Sequence, residues 1–193
     1  MKNYFIKFLS LFICAFVYSQ DADDKEWTSQ IFIDLNATNK ITYEYYNSDN
    51  RAQKTSINGE GSLELNYNID YRIFNRLAVS GIAAITNYNN PSFATIKTGL
   101  GFKLLYVDYK YHYLTLQYGY HIPFSKSDFR EGHQIKIGQV FDVADIFSKR
   151  LLVGFYFNSD YFYLENSEPL ISSASRSFSL SASSFGISLG VKF

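Results

Sequence analysis

The chain has 193 residues, a length that suits one domain, and its 18 basic and 18 acidic side chains leave zero formal net charge. A neutral balance gives no basic footprint for nucleic acid. The single cysteine, Cys14, lies in an N-terminal apolar run, so the expected mature chain has no thiol for disulfides, metal binding or nucleophilic chemistry, and its stability must come from burial or from a membrane.

Residues 1–20 read MKNYFIKFLSLFICAFVYSQ, with Lys2 and Lys7 ahead of an apolar run from Phe8 to Tyr18 that ends in Ser19 and Gln20. A basic start, an apolar stretch too short to span a bilayer and a small residue at the end predict a secretory signal over residues 1–19, with one domain over 20–193. After the leader, no segment approaches the roughly 20 consecutive apolar residues of a membrane helix.

A period-2 pattern then runs along the chain. Ile31, Ile33, Leu35, Ala37, Ile41, Tyr43 and Tyr45 share one parity, and Asp34, Asn36, Thr38, Lys40 and Glu44 the other. From Gly59 to Ile73 the rule is strict: Leu63, Leu65, Tyr67 and Ile69 alternate with Glu64, Asn66, Asn68 and Asp70. This alternation predicts strands with one apolar and one polar face. It recurs over 77–86, where Ile82 breaks the polarity, over 94–106, 114–122, 134–142 and 150–165, and from about 176 to 193. That makes eight strands, with ten as the alternative count.

The connections alternate in kind. Those at 73–77 and 107–110 are tight, whereas 47–56, 87–92, 124–132 and 165–177 are longer and more polar. Short turns at one end, longer loops at the other, and strands reaching the roughly 9 to 11 residues that cross a bilayer at a tilt together predict a transmembrane up-and-down antiparallel β-barrel. Eight strands place both termini on the short-turn side. Tyrosine and phenylalanine gather near strand ends, at 43–46, 106–113 and 156–163, where interfacial girdles lie in such barrels. The architectural rival is a soluble β-sandwich or lipocalin-like exported protein.

The final residues GISLGVKF place Phe185, Ile187, Leu189, Val191 and Phe193 on one face and Gly186, Ser188, Gly190 and Lys192 on the other. This ending resembles the closing strand of bacterial outer-membrane β-barrels, and the chain after the leader resembles the small eight-stranded barrels of the OmpA and OmpX type. The resemblance is architectural. It implies a cell outer-membrane location, lipid around the barrel, and recognition of Phe193 by the barrel-assembly machinery. The reversed apolar parity of Phe178, Leu180 and Ala182 predicts a bulge, or a strand that starts only near Ser183.

No cofactor or metal site is expected. His112 and His121 have opposite parity and cannot converge on a metal in a regular strand, and His133 reads as a solvated loop residue. The sharpest catalytic candidates are His121 and Ser125, because some barrels of this class resemble one another as lipases or lipid A deacylases with a His-x-Ser pair. Here, however, Ser125 stands about 13 Å further along an extended strand, too far for direct contact. On the lumen face, Glu60 and Glu64 are expected to reach Lys97 and Lys103 across the small residues Ala78, Ser80 and Ala84, plugging the barrel with paired charges. The reading is an outer-membrane protein with a structural or surface-interaction role. It is monomeric, with no nucleic-acid partner, and any ligand is held by its extracellular loops. A lipid-modifying hydrolase and a small porin are the alternatives.

Overall fold

Side chains that alternate in polarity give each segment two chemically distinct faces, and in this chain the segments close into a ring. The computed structural model describes residues 27–74, 76–106, 112–124, 129–146, 148–164, 170–171 and 174–193; the leader, Ser125 and Ser127 lie outside them. Among the described residues there are nine strands: β1 (Trp27–Asn47), β2 (Ala52–Ile57), β3 (Ser62–Phe74), β4 (Leu77–Tyr88), β5 (Phe93–Leu105), β6 (Tyr113–Pro123), β7 (Phe129–Ile146), β8 (Lys149–Leu164) and β9 (Ala174–Lys192). From β3 onward each pairs antiparallel with the next, and β9 returns to pair with β1 from Gln30↔Lys192 to Asn47↔Ala174. The result is a closed up-and-down barrel of eight strands, and closure leaves the ring no open edge.

The ninth strand is a departure from the sequence reading, in which residues 47–56 form a loop. β2 pairs with the upper half of β1 (Ile41↔Ile57 to Tyr46↔Ala52), while the lower half of β1 pairs with β3 (Trp27↔Tyr71 to Asn36↔Ser62). β2 therefore rises above the ring at the end opposite Trp27, the end we term the mouth. Trp27 and Phe193 lie together at the tight-turn end, where the Phe193 amide donates to the Ser29 carbonyl at 2.9 Å.

Two bulges decide which residues enter the barrel. In β1 the register with β9 shifts between Thr38 and Lys40. Below the shift, odd-numbered Ile33 and Leu35 face outward and are exposed; above it, odd-numbered Ile41, Tyr43 and Tyr45 are buried. One extra residue reverses every following side chain, so positions that share parity in sequence lie on opposite faces. In β9 the register shifts again beside Phe178, between the pairs Glu44↔Ser179 and Tyr45↔Ser177. Beyond that shift odd-numbered Ser177 turns inward to Tyr43, whereas from Ser179 to Lys192 β9 pairs with β8 without interruption, so Leu180 and Ala182 keep the inward parity of Ser184 and Gly186 in a strand that begins at Ala174, not at Ser183.

Ile82, the apparent break in the β4 pattern, is also explained. It faces the lumen, opposite Gly99 and Asn68, and its Cδ1 would lie 3.3 Å from a Cβ at Gly101. It fills the volume that the glycines of β5 leave open.

Candidate functional site

Inside the barrel the polar parity of each strand converges on a packed electrostatic network. β3 contributes Glu64 and Asp70, β5 Lys97 and Lys103, β7 Lys136 and β1 Asp34, all buried. Lys97 Nζ lies 2.6 Å from Glu64 Oε1 and 2.6 Å from Gln134 Oε1. Lys136 pairs with Asp34 Oδ2, approaches Glu64 Oε1 at 3.5 Å, and sits 3.9 Å from the centre of the Tyr156 ring. Lower down, Lys103 Nζ is 2.8 Å from Asp70 Oδ2 and 2.8 Å from Gln30 Oε1, while the Ser80 hydroxyl donates to Asp70 Oδ1 at 2.7 Å. Each ammonium thus meets a carboxylate and at least one further oxygen or ring, the condition under which buried charge is tolerated.

This arrangement corrects the expected pairing. Glu60 lies exposed in the segment ahead of β3 and takes no part, because the inward-pointing parity begins only at Ser62. Lys103 turns to Asp70, its neighbour across β4. Glu64 and Lys97 do meet. Asp34 and Lys136 are the members that the pairing left out, although the even parity of Asp34 with Asn36 on β1 already marked its face.

His121 is wholly buried. Its Nδ1 is 2.8 Å from Thr95 Oγ1, its Nε2 is 3.4 Å from Asp160 Oδ1, and Gln134 donates to the same Asp160 oxygen at 2.9 Å. An Asp–His–Thr series has the composition of a hydrolytic relay. Here Phe162 and Tyr88 pack over the imidazole, with ring centres at 5.3 and 6.3 Å, and Thr95 itself has no exposed surface. No substrate reaches it in this conformation.

Above the network the mouth is sealed by Ile41, Tyr43, Tyr45, Tyr88, Phe93 and Phe129 together with Phe162, Leu164, Leu180 and Ala182. Phe93 stacks on Phe129 at 3.9 Å and on Tyr88 at 4.5 Å, and Phe162 meets Phe93 edge-on at 5.0 Å. Below Asp34 and Lys136, Phe32, Tyr113, Val140 and Leu152 form a second apolar layer, level with Lys103, whose Nζ lies 4.8 Å from the centre of the Tyr113 ring. At the upper edge of that second layer, a cavity lined by Asp34, Asn68, Gln117, Lys136 and Tyr156 measures about 20 Å³, roughly the room one water needs.

The outside inverts this pattern. Leu35, Leu65, Leu100, Leu116, Ile137 and Phe155 each leave 46–64 % of their surface exposed and belong to an apolar belt around the ring. Soluble monomers rarely present a contiguous apolar surface of that extent, whereas barrels in lipid require one. His112, at the tight-turn end, places Nε2 3.2 Å from the Asp142 carbonyl. His133 is not the loop residue expected from sequence. It stands within β7 on the outer face, its Nδ1 2.6 Å from the Tyr118 hydroxyl.

No protein-family model and no curated protein sequence matches the chain. Among solved structures, it is similar to the outer membrane protein OprG from Pseudomonas aeruginosa, at 9 % identity and a TM-score of 0.56, over 86 % of this chain and 95 % of that one. The outer membrane protein AlkL, determined in DMPC lipid bilayers, aligns at 12 % identity and a TM-score of 0.47, over 91 % of this chain and 94 % of that one. The fold is that of bacterial outer-membrane β-barrels.

Proposed function

We propose that the protein resides in a bacterial outer membrane as a monomeric, non-conducting barrel, and that it acts through the surface it presents at the mouth. One observation supports this above the others: Asp34, Lys136, Glu64 and Lys97 join across the lumen between two apolar layers, and the cavity beside Asp34 and Lys136 measures only about 20 Å³. An interior filled in this way stabilises the ring and passes neither ions nor solutes. Specificity then falls to β2 and the segments that join strands at the mouth, including 89–92, which are exposed except for Pro91.

Planar-bilayer recording of the folded full chain tests this reading. Insertion without steady conductance is the expected result, and a stable open-channel current would overturn it. The hydrolase alternative has no support from His121, whose ring is enclosed. We place Phe193, at the tight-turn end, as the contact for the assembly machinery.

A further inference from the structure

The outer face of β6, β7 and β8 near the mouth carries a cluster that a plain interfacial girdle does not require. Tyr120, His133 and Tyr161 stand directly opposite one another on the three strands. Tyr118 flanks the row on one side and Tyr163 on the other, with His133 ring centres 5.9 Å from Tyr118, 5.4 Å from Tyr120 and 6.3 Å from Tyr163. Opposite Tyr163, β7 is bulged between Phe129 and Gly132, so Arg130 and Glu131 occupy the space of one residue and both are exposed. Bulges of this kind re-aim side chains.

The phenol hydroxyls are already engaged. Tyr118 shares a hydrogen with His133 Nδ1 at 2.6 Å, and Tyr120 donates to Glu131 Oε2 at 3.0 Å. A girdle tyrosine normally offers its hydroxyl to headgroups and water. These two instead have fixed rings, and Tyr118 and Tyr163 remain 52 % and 43 % exposed. The groups left for recognition are negative ring faces and the Glu131 carboxylate. Such a set attracts a cation with dispersed charge, the principle of aromatic cages for alkylammonium groups, and rings fixed in advance lower the ordering cost of binding.

We propose that Tyr118, Tyr120, Tyr163, His133 and Glu131 form a site for the alkylammonium group of an amine-bearing lipid headgroup, of the phosphoethanolamine or phosphocholine class. The lipid origin of the ligand rests on the membrane reading above, since that reading puts the upper edge of the apolar belt at headgroup level.

The test titrates the folded full chain in maltoside micelles with tetramethylammonium chloride, against sodium chloride at equal ionic strength, and follows ring signals of isotope-labelled tyrosine by NMR. Saturable shifts of Tyr118, Tyr120 and Tyr163 are expected, with affinity reduced about two- to fivefold in Tyr118→Leu and reduced also in Glu131→Gln. A non-saturating response, or equal affinity in both variants, overturns the site. So does a glucose titration that moves the same rings while tetramethylammonium does not. In a second arm, protein refolded into mixed vesicles is extracted and its retained lipid weighed by mass spectrometry. Retention of phosphoethanolamine lipid over phosphoglycerol lipid supports the headgroup assignment, and equal retention overturns it. Heat-modifiable gel migration reads insertion separately, so a barrel that inserts yet ignores the ammonium ion defeats this site alone.

Discussion

Lys97 and Glu64 meet at 2.6 Å although they stand on β5 and β3, which are not neighbours. They reach each other across β4, which presents only Ala84 opposite Lys97. Both are essentially shielded from solvent, so each is the other's chief compensation for lost hydration. Lys97→Met leaves Glu64 with Lys136 at 3.5 Å and the Thr86 hydroxyl at 2.8 Å. Removing one partner of a buried pair costs about 3–5 kcal/mol. Urea unfolding of the barrel in vesicles is expected to show a loss of that order. The double variant Lys97→Met/Glu64→Leu is expected to lose clearly less than the two single losses added together. Strict additivity would show that the pair contributes nothing specific.

Close backbone approach makes a second, sharper contrast. A Cβ at Gly99 would lie 2.2 Å from the Tyr118 carbonyl oxygen and 2.9 Å from the Gly119 Cα, atoms fixed in the β6 backbone. At Gly101 the two nearest atoms are Gln117 Cγ at 3.2 Å and Ile82 Cδ1 at 3.3 Å, both in side chains that can shift. Gly99→Ala is expected to lower the unfolding midpoint strongly or prevent refolding, and Gly101→Ala to leave it nearly unchanged. Equal effects would mean that the β5–β6 spacing adjusts freely.

The bulges explain how much of this was legible beforehand. Strict alternation in β3 identified its faces correctly, because nothing interrupts the period of two from Ser62 to Arg72: Leu63 and Leu65 lie outside and Glu64 and Asn66 inside. Alternation in β1 misled, because Ile41, Tyr43 and Tyr45 share the parity of Leu35 and yet seal the mouth from within. Parity fixes the face only up to the next inserted residue, and Asn39 has no special chemistry that marks it as one. The lumen partners were partly legible for a similar reason. Which residues point inward follows from parity, but whether Lys103 meets Glu60 or Asp70 depends on the height at which each strand enters the ring.

The aromatic seal can be tested from outside. Residues 20–193 contain no cysteine, so Thr95→Cys introduces a single thiol at a fully buried position beneath Phe93 and Phe162 in the barrel of a processed chain. With the seal intact, a membrane-impermeant maleimide is expected to leave it unlabelled. Adding Phe162→Ala removes the ring that packs on Phe93, Phe129, Tyr88 and His121. Labelling is then expected, together with a stability loss of about 3–5 kcal/mol for the deleted aromatic core residue. Rapid labelling of Thr95→Cys alone would mean that the mouth opens spontaneously.

The belt separates a membrane barrel from a soluble one through a single substitution. Leu116 lies on β6 with 49 % of its surface exposed, between the inward-facing Thr115 and Gln117. On a soluble protein an exposed leucine tolerates arginine with a change within about 0.5 kcal/mol. In a bilayer the same guanidinium must enter hydrocarbon or drag water to itself, which costs about 2–4 kcal/mol near the midplane and falls towards the interfaces. Leu116→Arg is therefore expected to destabilise the protein in vesicles by roughly that amount. Arginine at Ile122, six residues nearer the mouth on the same strand, is expected to cost less. A depth-independent effect, or none, would remove the lipid from around the ring, and with it the membrane reading of the belt.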